Sequence, residues 1–239
     1  MPMKKSVEGL LFPISEPEIN EASERYRVKY EQDKRRVNNL HLLAYPAFDV
    51  EGIEQMPVVP VFSDPVPSGF IPYTQRGSSR SDTSFGVHCY EYDNRIISTW
   101  TKPLMPIGAL KRFPCVIAPD FSIMVDQPRA INVANVFRNR WVSCFWTSLG
   151  IRVIPSASWG SVDSFEYCFD GLPENSVISI GHVVEGKEKA FDQLYRMGVE
   201  ELILRKHPSK LLVYGFPLSF EPDVEVVYIQ GEIQKLRAL

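Results

Sequence analysis

A chain of 239 residues with 44% apolar and 12% aromatic side chains can bury a substantial core, which excludes a disordered chain. Its formal net charge of −3 supplies no general basic surface, so strong affinity for random duplex DNA is not expected. A salt-dependent shift with random duplex at micromolar protein would overturn that expectation, and Lys34, Arg35 and Arg36 are the first place to look.

No apolar run approaches the roughly 20 residues of a membrane span. The apolar patch behind Lys4 and Lys5 is too short for a secretory signal, so a cytoplasmic protein is expected. Cys89, Cys115, Cys144 and Cys168 contain no CxxC pair, which argues against a zinc knuckle and for reduced, mostly buried thiols. Ser15 and Glu18 have capping-box spacing with Pro17 in the first turn, and open a charge-rich helix that runs to about Asn38 with Tyr26, Tyr30 and Val37 as a thin apolar stripe. Residues 1–44 are therefore read as an N-terminal helical extension, and 45–239 as a single α/β domain, regular from about 85 to 230.

From 45 to 85 prolines and glycines punctuate short apolar pieces such as "MPVVPVF", which excludes a long helix. "GVHCYEYD" reads as a strand, followed by a short helix near "IISTWTKPLMPIGALKRF". Strands are then expected at 115–119, 151–155, 176–181 and 210–215, with "VEVVYI" as a further candidate. Between them lie helices over "PRAINVANVFRNRWVSCFWTSLG" and "KEKAFDQLYRMGVEELILRKHP", and a helical turn or two in "SVDSFEYCFDGLP". Gly150 reads as a helix C-cap and Asp126, just before "QPR", as an N-cap. This alternation predicts a mostly parallel sheet with βαβ crossovers, either open or closed as a TIM-like barrel.

Parallel α/β folds bind ligands beyond the carboxyl ends of their strands. The polar residues directly after each strand are thus the candidates: Asp120 and Ser122, Ser156, Ser158 and Trp159, His182, and Tyr214. Asp120 and His182 are the candidate acid–base groups, and a carboxylate there suits a hard divalent cation as candidate cofactor. Ser122, Ser158, Trp159 and Tyr214 are candidate ligand contacts. Arg138 on the long helix either clamps an anionic ligand or reaches an acidic partner within the protein, the second being the simpler reading. No P-loop, GxGxxG or GxSxG motif is present, which weighs against ordinary nucleotide folds and a nucleophile elbow.

The stretches "GVHCYEYD", "FPCVIAPDFSIMVDQPRAINVANVFRNRW", "LGIRVIPSASWG", "SFEYCFDGLPENSVISIGHV" and "KLLVYGF" resemble the bacterial and phage family called domain of unknown function 4417. Trp146 and His182 depart from that pattern, which weakens His182 as a shared catalytic base. The resemblance implies a phage or mobile-element setting and carries no reaction with it. Two functions remain: an enzyme acting on a small molecule or nucleotide at the strand-end rim, or an accessory protein that binds a phage or host protein, or nucleic acid, without chemistry of its own.

Overall fold

The computed structural model describes residues 48–182 and 189–230. The chain divides into Met1–Ala47 and Phe48–Leu239, and every described residue belongs to the second unit. The expected N-terminal helix and its capping box lie outside the described residues.

A short antiparallel hairpin, β1 (Val50–Glu51) and β2 (Met56–Pro57), opens the described chain. Eight more strands follow. β3 (Phe70–Pro72), β4 (Gly86–His88), β5 (Val116–Ile117) and β6 (Val153–Ile154) lie side by side in that order, all parallel. β7 (Ser156–Ala157), β8 (Val177–His182), β9 (Lys210–Gly215) and β10 (Val226–Ile229) form a second parallel set.

Only Pro155 separates β6 from β7. Proline has no N–H to give a ladder, so the strand is interrupted there. Its carbonyl still accepts the Ser179 N–H at 2.8 Å, while Ile154 O accepts from Ala118 at 2.9 Å. One strand therefore serves both sets, and seven strands stand in one parallel array. The expected strands at 115–119, 151–155, 176–181 and 210–215 coincide with β5, β6, β8 and β9.

Period-two alternation sorts the two faces. Ile178, Ile180, Leu211 and Val213 pack with Val136, Val199 and Leu202 from the helices. Val177, Leu212 and Tyr214 face a second core with Phe70, Ile117, Ile154 and Ile229. Phe70 belongs to one edge strand and Ile229 to the other, so the sheet curls strongly on itself. β3 and β10 are nonetheless edges of their ladders, and the curl is an incompletely closed barrel among the described residues.

Three short helices, α1 (Asp93–Ile96), α2 (Ser98–Thr101) and α3 (Ile107–Leu110), replace the single one expected between β4 and β5. The long helices are α4 (Arg129–Ser148) and α5 (Lys189–Lys206). Gly150, at φ +83°, ends α4 as anticipated: its N–H bonds Thr147 O, and Ile151 N–H bonds Trp146 O. Asp126 does not cap this helix. The cap position is Pro128 and carries no side-chain bond, because the helix starts too late for Asp126 to reach its first amides. "SVDSFEYCF" contains a 3-10 helix over Val162–Glu166.

Gly171 in "FDGLP" has φ +74°, and a methyl there would lie 2.4 Å from Pro57 O. This turn receives the hairpin: Gly171 N–H donates to Glu51 Oε2 at 2.7 Å, and Lys206 Nζ bonds both oxygens of Glu51. No helix among the described residues is long and apolar enough to cross a membrane.

Candidate functional site

The loop between β5 and α4 carries Asp120 and Ser122, and α4 laces it in place with asparagines. Asn139 Nδ2 donates to Pro119 O at 2.7 Å, Asn135 Nδ2 to Ser122 O at 2.7 Å, and Asn132 Nδ2 to Met124 O at 2.8 Å. Asn132 Oδ1 also accepts the Met124 N–H. The spacing i, i+3, i+7 puts all three amides on one helix face. A loop that would otherwise carry free carbonyls is thereby fixed at the strand end.

Asp120 sits between two of these laced carbonyls, those of Pro119 and Ser122. The Ser158 hydroxyl donates to its carboxyl group. Oδ1 is sealed from solvent and has no hydrogen-bond partner. Burial is the main cause that lifts this carboxyl from 3.8 to about 7. The Ser158 hydrogen bond opposes the lift, the neighbouring Asp93 carboxylate adds to it, and Arg140 opposes it weakly. Asp93, at the start of α1, accepts both the backbone N–H of Ser122 (3.1 Å) and its hydroxyl (2.9 Å).

Under this loop lies an aromatic layer. Tyr90 donates to Ser179 Oγ at 2.8 Å and stacks on Tyr214 at 4.7 Å between centroids, while His88 lies 4.5 Å from Tyr214 on centroids. Burial first, then the charge of Asp120, holds the Tyr90 phenol well above its ordinary value. Gly181 is required here. A methyl on it would stand 2.9 Å from the Tyr90 ring, and 3.8 Å from Asp120 Oδ2.

Gly181 also floors a groove of about 400 Å³, whose walls include Trp159, His182, Tyr195, Phe191 and Met124. The rings of His182 and Tyr195 stack at 4.4 Å, and Trp159 meets Tyr195 at 5.1 Å. Tyr195 donates its hydroxyl to Gly181 O at 3.0 Å. His182 Nδ1 lies 3.0 Å from Phe216 O. A carbonyl only accepts, so the neutral ring carries its proton on Nδ1 and keeps Nε2 as its basic nitrogen.

Trp159 is seated against Gly198 of α5, where a methyl would fall 2.1 Å from the indole Cε2. Gly198→Ala is thus expected to destabilise by about 1–3 kcal/mol, although alanine ordinarily gains almost 1 kcal/mol over glycine in a helix. Urea unfolding measures it. A stabilised variant would mean that the indole moves away at no cost.

The rim predicted from strand ends thus takes this form. Asp120 and Ser158 are bonded to one another, Ser122 is tied to the Asp93 carboxylate beside them, and Trp159 and His182 form the groove walls. Tyr214 is drawn inside the curled sheet at 4% exposure, where it packs on other rings. Arg138 donates to Asn135 Oδ1 at 2.9 Å and covers the Trp100 ring at 5.8 Å, so a neutral amide takes the place of the acidic partner expected. Ser156 is buried and bonded to Asn139. Among the described residues no group of three or more His, Cys, Asp or Glu is arranged to hold a metal ion, and a divalent cofactor has no assembled donor set there.

Asp93, Tyr90, Tyr195 and Gly181 were not among the residues the sequence singled out. Asp93 and Tyr195 act from neighbouring helices, which rim counting ignores. The asparagine spacing is visible in the sequence but does not by itself name the loop it holds.

A model of the domain of unknown function 4417 family matches residues 48–229. Two phage proteins are similar over 129 residues: "Gene 1 protein" of Mycobacterium phage D29, at 38% identity over 54% of this chain and 48% of the relative, and "Gene 1 protein" of Mycobacterium phage L5, at 37% identity over 54% and 56%. The chain thus spans about half the length of these curated relatives. No solved structure matches.

Proposed function

The chain belongs to the domain of unknown function 4417 family, and we propose that within it this protein is a phage-associated enzyme that binds a small molecule at the strand-end rim, with Asp120 as its acid–base group. The observation that supports this reading is the state of Asp120: a buried carboxyl with one unpartnered oxygen, held by a laced loop, and poised to exchange a proton at neutral pH. Most buried structural carboxylates have both oxygens satisfied. Ser158 orients the carboxyl, and Asp93 holds the Ser122 end of the same loop. His182 offers Nε2 across the adjoining groove as a second proton acceptor.

Two measurements test the reading. Carbon-13 NMR of the aspartate carboxyls should show one group titrating near pH 7 that disappears in Asp120→Asn. A metabolite panel read by thermal shift should contain a compound that stabilises the wild type and not Asp120→Asn. A carboxyl titrating near 4, or ligands indifferent to the substitution, would remove Asp120 from the chemistry.

A second reading, a binding protein without chemistry, draws on the exposed apolar side chains at the groove mouth, Met124, Val125 and Phe191. In that case a phage or host protein covers them, and Asp120→Asn leaves its binding intact.

A further inference from the structure

We infer that the Ser158 hydroxyl is the nucleophile of this rim, that Asp120 takes its proton, and that the substrate is an acyl compound, an ester or thioester attacked at its carbonyl carbon. This rests on the reading of Asp120 as an acid–base group, and it names the atom through which that group acts.

The register of the sheet brings the two side chains together. Ile117 of β5 lies opposite Ile154 of β6, so Asp120 and Ser158 stand three and four residues further along neighbouring parallel segments. The Ser158 hydroxyl donates to the Asp120 carboxyl, whose Oδ1 is sealed without a partner. A hydroxyl that donates to a base, with the base fixed by further groups, is the arrangement of an activated nucleophile. Both halves are held here. Asn139 and Asn135 fix the loop on either side of Asp120, and Ser164 Oγ fixes the turn behind Ser158 by accepting the N–H groups of Gly160 at 3.2 Å and Ser161 at 3.3 Å. Ser158 is half-buried and runs straight into Trp159 and Gly160, which line the groove, so it stands at the groove's edge. A carboxyl lifted to about 7 binds a proton roughly a thousandfold more tightly than an ordinary aspartate, which makes it a fitting base for a hydroxyl.

As Oγ bonds to the carbonyl carbon, its proton passes to the Asp120 carboxylate. The tetrahedral intermediate then breaks its bond to the alcohol or thiol, which leaves with the proton that Asp120 returns. An acyl ester stays on Ser158, and water removes it by the same proton route. The groups that face Asp120 are the Asp93 carboxylate of α1, Arg140 of α4, Cys89 and Tyr90 just after β4, and Tyr195 of α5. Burial raises the thiol and both phenols, and Arg140 stands at about 10, so these four hold their protons while Asp120 titrates.

The full chain should be treated with phenylmethylsulfonyl fluoride and, separately, with 4-nitrophenyl acetate, from about pH 5 to 9. Peptide mapping is expected to find the sulfonyl group on Ser158, formed at a rate that rises through about pH 7 and then levels off. The acetate ester should give a burst of nitrophenolate and leave acetyl-Ser158 in an acid quench. Asp120→Asn should slow both reactions by roughly 10²–10⁴-fold while the chain stays folded. Ser158→Ala should abolish them, and Ser158→Cys should restore the burst with a thioester at the same position. A wild type left unlabelled at Ser158 would overturn the inference. So would labelling that runs equally fast in Asp120→Asn, or a pH step that survives in that variant and so belongs to another group, His182 first. The two proposals fail separately. An unlabelled Ser158 beside a carboxyl that titrates near 7 ends the nucleophile and keeps the acid–base group. A Ser158 that reacts equally in Asp120→Asn, beside a carboxyl that titrates near 4, ends the acid–base group and with it the pair.

Discussion

Asp120→Asn is expected to stabilise the protein at pH 8 by about 2–4 kcal/mol and to leave it unchanged near pH 4, where the wild-type carboxyl is already neutral. The carboxyl is raised from 3.8 in the unfolded chain to about 7 in the folded one, chiefly by burial. Between those values the folded state keeps a proton that the unfolded state has released. This group's contribution to stability is therefore complete below about pH 4 and is lost as pH rises through 7. Asparagine cannot ionise, so the difference between variant and wild type should grow from pH 4 to 7 and then level off. Urea unfolding of both proteins at pH 4.5, 6 and 8 measures it. A constant loss of about 1–3 kcal/mol at every pH would instead describe a carboxylate that serves only as an acceptor for Ser158.

Arg140→Met should cost about 3–5 kcal/mol, a large part of the stability of a typical domain. Arg140 is 2% exposed, with the Asp170 and Glu51 carboxylates near enough to favour its charge. Its guanidinium donates to Asp170 O at 2.9 Å, Ser156 O at 2.9 Å, Cys168 O at 2.7 Å and Asn139 Oδ1 at 2.5 Å. It thus binds α4 to the shared strand and to the "FDGLP" turn in one group. Methionine fills the space and leaves several buried oxygens without donors, each at about 1–3 kcal/mol. Part of that loss is returned, because burial already disfavours the charged guanidinium and pulls it down to about 10. Arg140→Lys should recover less than half of the loss, since three donors on one nitrogen cannot span the planar fork. Arg138→Met, a partly exposed neighbour, should cost under about 1 kcal/mol. Equal losses at 138 and 140 would sink the brace.

The strands and the two long helices were legible because each is an apolar pattern of fixed period, and β8 and β9 are almost unbroken apolar runs. The strand ends therefore pointed to Asp120, Ser158, Trp159 and His182. Tyr214 shows where that logic stops. A residue near a strand's carboxyl end faces the rim or the interior according to the pleat, and the curl of the sheet drew this one inside. Asp93 reaches the site from a helix 29 residues before Ser122, and Tyr195 from the far side of β8. Neither position follows from local pattern. The roles of Asn132, Asn135 and Asn139 were hidden for another reason: polar side chains at helical spacing describe a wet face equally well until the loop they hold is known.

The tie between Glu51 and Lys206 joins residues 155 apart in sequence. At a ribosomal pace of 5–20 residues per second, the hairpin waits roughly 8–30 s between its own synthesis and that of its anchor. Throughout that interval Met56, fully buried in the finished protein, has no completed socket. Docking of β1 and β2 is thus a closing event in the assembly of the nascent chain.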